Sequence, residues 1–299
     1  MIPKLYNGDC LDVLRGMPDE SIDAIVCDPP YGLSRPPDIR EVLAHWLAGD
    51  DYTHRGSGFM GKTWDSFVPG PTIWREAHRV LKPGGHLVAF GGQRTIDLMS
   101  LSIRLGGFEI RDLIGWLFWT GFPKSLDVSK AIDTAAGATD DAKRWAGWGT
   151  ALKPCIEPAV LARKPLAGTV AANVLRYGTG ALNIDACRYP DGDPAWPAPT
   201  GGGHGGKQAS SIGYAGTDPV GFATRKHDAG RWPANIYACR KASRAERERG
   251  CGGLAARTGA DAVGRVEGSA GTNSPRAGAG RTADGVRNFH PTVKPVRLM

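Results

Sequence analysis

Apolar positions along the first 163 residues change period several times, and each change predicts an element. Asp9 precedes Leu11 and Leu14 at helical spacing and can cap a short helix that ends towards Gly16 and Pro18. Ile22-Asp23-Ala24-Ile25-Val26-Cys27 is a short run rich in β-branched residues, stopped by Asp28-Pro29-Pro30-Tyr31. That pattern predicts a buried strand with a rigid turn at its carboxyl end. Ile73, Trp74, Ala77, Val80 and Leu81 mark a helix face, with Lys82-Pro83-Gly84-Gly85 as its stop. His86 to Phe90 predicts the next strand, and Ile96, Met99 and Ile103 the next helix, closed by Gly106-Gly107. Phe108 to Trp119 predicts one long strand or two, and Pro158 to Ala162 another. Strands alternating with helices call for an open, mostly parallel α/β sheet, on which ligands bind beyond the carboxyl ends of the strands.

The pattern fades after Lys164. The chain of 299 residues carries 42 glycines and 22 prolines, and they crowd between Pro190 and Gly285. A compact front and an irregular segment behind it follow from that asymmetry. The net charge of +7 calls for an acidic partner. Arg225, Lys226, Arg231, Arg240, Lys241, Arg244, Arg247 and Arg249 form a basic run with Trp232 and Tyr237 interleaved. Such a mixture suits phosphates and unstacked bases, although a solvated basic helix would read the same way. Ser243-Arg244-Ala245-Glu246 is a capping box opening a short helix that Gly250 stops. Leu113 to Trp119, the most apolar stretch, falls far short of the ~20 residues of a membrane helix. With no signal-peptide run at the front, the cytoplasm of a bacterium or of a phage-infected host cell is the expected address. The six cysteines form no CxxC pair, so neither a metal centre nor a disulfide framework is predicted.

Candidate chemistry concentrates at Asp28-Pro29-Pro30-Tyr31. The two prolines restrict the backbone at Asp28 and Pro29 before anything binds. A loop so stiffened can aim the Asp28 carboxylate and the Pro29 carbonyl at one point, and two convergent acceptors suit an exocyclic NH2 group. Tyr31 can stack on the flat ring that carries the amine. These parts would hold a nucleobase swung out of a duplex. Four residues alone also allow a plain Asp-Pro turn in which Tyr31 merely packs.

Longer segments resemble the DNA amino-methyltransferases, in the permuted (beta-type) branch found in phage and prophage methylases, where the DPPY loop comes first. The resemblance runs through Leu5 to Cys10 (LYNGDC), Asp28 to Gly32 (DPPYG), Arg79 to Gly85 (RVLKPGG) and Gly121 to Ser125 (GFPKS). It continues at Glu157 to Pro165 (EPAVLARKP) and at His290 to Pro295 (HPTVKP). It implies a Rossmann-like class I methyltransferase sheet and transfer of a methyl group from S-adenosylmethionine to adenine N6 or cytosine N4. An aspartate at the first DPPY position favours adenine. It assigns Asp28, Pro29, Pro30 and Tyr31 to the target base, and Asp9, Thr292 and Lys294 to the cofactor. Arg225, Lys226, Arg231, Trp232, Arg240, Lys241 and Arg244 then become candidate contacts to double-stranded DNA, with no metal required.

The resemblance also implies a departure. Permuted relatives follow HPT-x-KP with a Gly-rich DPFxGSG turn that wraps the cofactor, whereas this sequence ends at Val296-Arg297-Leu298-Met299. The expected layout is therefore a catalytic α/β part over 1–163, a basic target-recognition region over 164–288, and the start of a cofactor-binding half over 289–299. Central cofactor-binding strands would be missing, and a second polypeptide carrying that motif is an expected partner. A DNA-binding remnant without catalysis, or an amino-methyltransferase acting on protein or RNA, are the other readings.

Overall fold

The computed structural model describes residues 3–32, 34–56, 65–118, 121, 125–136, 140–189, 230, 232–258, 285–288 and 293–298. Among these residues five strands form one sheet: β1 (Ile22–Cys27), β2 (Leu81–Phe90), β3 (Glu109–Leu117), β4 (Ile156–Arg163) and β5 (Ile236–Ala238), in the order β1-β2-β4-β3-β5. The helices are α1 (Cys10–Arg15), α2 (Ile39–Ala48), α3 (Pro71–Val80), α4 (Ile96–Leu105), α5 (Val128–Ala136), α6 (Asp140–Arg144), α7 (Val170–Tyr177) and α8 (Arg244–Glu248).

The sheet is mixed, which corrects the mostly parallel arrangement predicted. β1 pairs parallel to β2 and β3 parallel to β5, but β4 runs antiparallel to both of its neighbours. The period-2 pattern of a strand fixes which face it shows, not which way it runs, so Pro158 to Ala162 carried no directional signal. One consequence reaches the functional site. The beginning of β4, not its end, lies beside the carboxyl ends of β2 and β3, with Glu157 opposite Trp116 and Ala159 opposite Phe90.

β2 also begins earlier than predicted. Lys82-Pro83-Gly84-Gly85 does not stop a helix before the strand but belongs to the strand itself, as an irregular insertion. Ile22 pairs with Leu81 and Ala24 with His86, so the intervening residues of β2 bulge away from β1. Gly84 makes the bulge possible, because its φ of 78° is left-handed and an added Cβ would lie 2.5 Å from the Asn173 amide. Asn173 on α7 is fully buried and clamps the bulge. Its amide donates to the carbonyls of Pro83 at 2.9 Å and Thr179 at 2.8 Å, and its oxygen accepts from the Ala167 amide at 2.9 Å.

Helices α2, α3 and α4 cover one face of the sheet. Val42, Trp46, Trp74, Ala77, Met99 and Ile103 pack there on Leu87 and Ala89 of β2 and on Val160 and Ala162 of β4. The spacing read as helical at Ile73, Trp74, Ala77 and Val80 is thus α3, whereas Leu81, read as part of the same face, opens β2, and Ile96, Met99 and Ile103 line α4. Asp9 caps α1 as predicted, accepting from the amides of Leu11 and Asp12. Arg79 of α3 then ties the end of α1 down by donating to the carbonyls of Leu14 and Met17. β1 was predicted as buried. Among the described residues it is instead an edge strand, with Val26 half exposed. Among these residues no helix is long and apolar enough to cross a membrane.

Replacing Asn173 by Ala leaves the Thr179 carbonyl and the Ala167 amide without their side-chain partner, while the Pro83 carbonyl keeps the Thr179 hydroxyl, a loss of about 2–3 kcal/mol. Urea unfolding is expected to show the midpoint of Asn173→Ala lowered at unchanged slope. Leu175→Ala, on the exposed side of the same helix, is expected to leave it where it is.

Candidate functional site

The site assembles where four strands bring their ends to one edge of the sheet. Asp28 follows β1, Phe90 closes β2, Trp116 and Phe118 lie at the end of β3, and Glu157 is near the start of the reversed β4. The loop after β1 is held by its backbone as well as by its prolines. The Tyr31 amide donates to Asp65 Oδ1 at 2.8 Å, and Thr95 Oγ1 donates to the Tyr31 carbonyl at 2.6 Å. Thr95 stands at the N-cap of α4 yet makes no capping bond with its side chain. Its hydroxyl goes to the loop instead.

Within the site, the Tyr31 hydroxyl lies 2.7 Å from Asp28 Oδ1 and 2.5 Å from Glu157 Oε1. One phenol proton can serve only one of these oxygens at a time. The Lys294 ammonium supplies the remaining donors, at 2.9 Å from Asp28 Oδ2, 2.8 Å from Glu157 Oε1 and 3.0 Å from the Tyr31 oxygen. Its side chain is only 6% exposed. Phe90, Tyr31 and Trp116 turn their rings to it, with centroids 4.8, 5.4 and 6.0 Å from Nζ. Burial, then the Glu157 and Asp28 charges, push the Tyr31 phenol far above the usual tyrosine range, so it stays protonated. Cys27, the last residue of β1, is pushed up to about 12 by burial and by the neighbouring Asp28 charge, which makes it an inert thiol.

Of the residues predicted for the target base, Asp28 and Tyr31 meet in this cluster, and Pro29 and Pro30 form the half-buried link between them. The residues predicted for a cofactor are not brought together. Asp9 is exposed at the cap of α1, Lys294 is committed to Asp28 and Glu157, and Thr292 lies outside the described residues. Glu157 is the site residue that the sequence reading missed. It opened a family-like segment, but nothing in its spacing tied it to a loop 126 residues away.

The basic residues divide. Arg225, Lys226 and Arg231 lie outside the described residues. Trp232 is two-thirds exposed with the Arg188 guanidinium over its ring, and Arg240 is exposed. Lys241 instead leans over the Phe118 ring at 4.1 Å, where burial lowers its ammonium below the usual lysine range. Arg244 donates to the Gly285 carbonyl at 2.8 Å. Ser243 caps α8 by accepting from the Glu246 amide. The Glu246 carboxylate does not complete the box but accepts from the Val296 amide, and that contact helps place Lys294. Among the described residues no cluster of His, Cys, Asp or Glu could hold a metal ion.

The family model described as DNA methylase matches residues 22–299. The type II methyltransferase M.HindIII of Haemophilus influenzae is 25% identical over 209 residues, 63% of this chain and 67% of its own length. The type II methyltransferase M.BamHI of Bacillus amyloliquefaciens is 36% identical over 88 residues, 29% of this chain and 17% of its own. Among solved structures, the cytosine-N4-specific PvuII DNA methyltransferase is similar at 15% identity and a TM-score of 0.30, over 56% of this chain and 51% of its own. The chain thus spans between about a sixth and two thirds of these relatives.

Alkaline titration followed by phenolate absorbance is expected to give the same curve for the parent and for Tyr31→Phe through the ordinary range near about pH 10. A step missing from Tyr31→Phe there would show an accessible phenol. Because the folded phenol is raised, its stabilisation is present below that range and is lost as the pH rises above it.

Proposed function

The chain belongs to the DNA methylase family, and from that premise we propose that it transfers a methyl group from S-adenosylmethionine to the exocyclic amine of a base flipped out of double-stranded DNA. One observation carries the reading. At the carboxyl end of β1 a carboxylate and a phenol ring are fixed in a half-buried cluster whose oxygens already hold a nitrogen. In this reading the Asp28 carboxylate and the Pro29 carbonyl accept the two N–H bonds of the amine, and Tyr31 packs on the base. Accepting both hydrogens turns the nitrogen lone pair out of the ring plane, so that alignment becomes the main requirement of the transfer. The Asp28 charge then stabilises the positive charge that grows on nitrogen. Adenine N6 is favoured over cytosine N4 by the aspartate that opens the loop.

The residues present fit a cationic methyl donor in one respect. The ring faces of Phe90 and Trp116, turned towards the Lys294 ammonium, also suit a sulfonium beside it. S-adenosylmethionine, when bound, supplies an electrophilic methyl group. Asp9 can contribute through Oδ2, since its capping bonds go to Oδ1. Thr292 is assigned from the family pattern. Lys294 can reach the methionine carboxylate only after leaving Asp28 and Glu157. On the DNA side, Trp232 and Arg240 are exposed and ready for phosphates or unstacked bases, with Arg225, Lys226 and Arg231 of the same basic run. Lys241 and Arg244 would first have to give up Phe118 and Gly285. The edge of β1, which has no partner strand among the described residues and leaves Val26 half exposed, is where we place further strands of the sheet, including any donated by a second polypeptide.

The test is incorporation of labelled methyl groups into duplex DNA by the full chain. Asp28→Ala is expected to lower transfer by about 100-fold or more, with DNA affinity nearly unchanged. Activity retained in Asp28→Ala removes this residue from the mechanism.

A further inference from the structure

We propose that Glu157 is a second carboxylate of the amine-holding site, and that the Lys294 ammonium occupies in the resting chain the place that the target nitrogen takes. The proposal rests on the reading of Asp28 and Tyr31 given above and extends it to a residue on a different strand.

The contacts of Lys294 define the site. An ammonium has three N–H donors, and here they face three oxygens, those of Asp28, Glu157 and Tyr31, at 2.8–3.0 Å. Two carboxylates and a phenol oxygen around one point form a cage for a nitrogen that carries hydrogens and positive charge. A methylated amine is such a nitrogen. At the moment of transfer it is tetrahedral, cationic and still bears both of its hydrogens, one held by Asp28 and the other shared between the Pro29 carbonyl and Glu157. A lone carboxylate would meet one side of that charge, whereas Asp28 and Glu157 approach it from β1 and β4, on opposite sides of the β2 end.

The Glu157 side chain is 16% exposed and lies across the β3–β4 ladder from Trp116. It is aimed by its backbone and not by a flexible loop, so it retains its position when Lys294 departs. Departure of Lys294 leaves two carboxylates facing each other without their bridging cation, with the Lys241 ammonium over the Phe118 ring still acting on Glu157, an unfavourable arrangement in a half-buried place. A nitrogen entering that place relieves it. The same charges that retain the lysine therefore draw in the amine, and the two compete for one site.

The experiment measures equilibrium binding of 2′-deoxyadenosine and 2′-deoxycytidine to the full chain, with saturating S-adenosylhomocysteine present to fill the cofactor pocket. Lys294→Ala is expected to bind one nucleoside about tenfold more tightly than the parent. Adding Glu157→Gln is expected to reverse that gain by about tenfold, as loss of a hydrogen bond to a charged group implies. The N6,N6-dimethyl or N4,N4-dimethyl nucleoside, which has no N–H to donate, is expected to gain nothing from Lys294→Ala. Glu157→Asp, which withdraws the carboxylate by one methylene, is expected to repeat the Gln result in a chain of parental melting temperature. Undiminished binding in both Glu157 variants overturns the proposal. If Asp28→Ala weakens binding in the same background while the Glu157 variants do not, the role of Glu157 falls and the methyl-transfer reading stands. If neither residue matters, or neither nucleoside binds, both fall.

Discussion

Two carboxylates and one phenol cannot satisfy each other. Asp28 and Glu157 both reach the Tyr31 hydroxyl, which has a single proton to give, and the excess negative charge must find a cation or remain poorly solvated. In the resting chain that cation is Lys294. The requirement explains why a segment distant in sequence returns to the end of β1, and why aromatic rings and not further acids complete the surround. It also gives the loop a chemical purpose. Rigid prolines would be idle unless the carboxylate they aim had something positive to meet.

The reversal of β4 makes the pair of acids possible. In an all-parallel sheet the first residues of every strand gather at the edge opposite to the site. Because β4 runs against β2 and β3, its second residue, Glu157, arrives beside the last residues of its neighbours. The sequence showed Asp28 and Tyr31 plainly, since they stand three residues apart between two hard stops. It could not show Glu157, because strand direction leaves no trace in an alternation of apolar and polar residues. Lys294 was legible as a functional lysine but was assigned to the cofactor. In the structure it is paired with Asp28 and Glu157.

Much of the front half was legible for a simple reason: its signals are local. The bounds read for β1 coincide with those observed, and α1, α3 and α4 lie where apolar spacing and glycine stops put them. The failure at Lys82 to Gly85 has a physical cause. Pro and Gly usually interrupt a strand, but here Asn173 supplies from α7 the hydrogen bonds that the bulge loses, and Gly84 takes a backbone angle closed to other residues. A rescue from a residue 90 positions away has no local signature. The same limit applied to the basic region. Lys241 and Arg244 carry the composition of a DNA contact, yet the structure engages them with Phe118 and Gly285.

Thr95 joins the loop to the core more tightly than either would suggest alone. Its hydroxyl, diverted from capping α4, holds the Tyr31 carbonyl, while the next residues of that helix, Ile96 and Met99, pack into the centre of the molecule. A displacement of the loop backbone at Tyr31 is therefore transmitted as a tug on the first turn of α4, and that turn has no side-chain cap to resist it. Loop and helix end therefore hold or yield together, and the stiffness of the loop becomes a property of the interior.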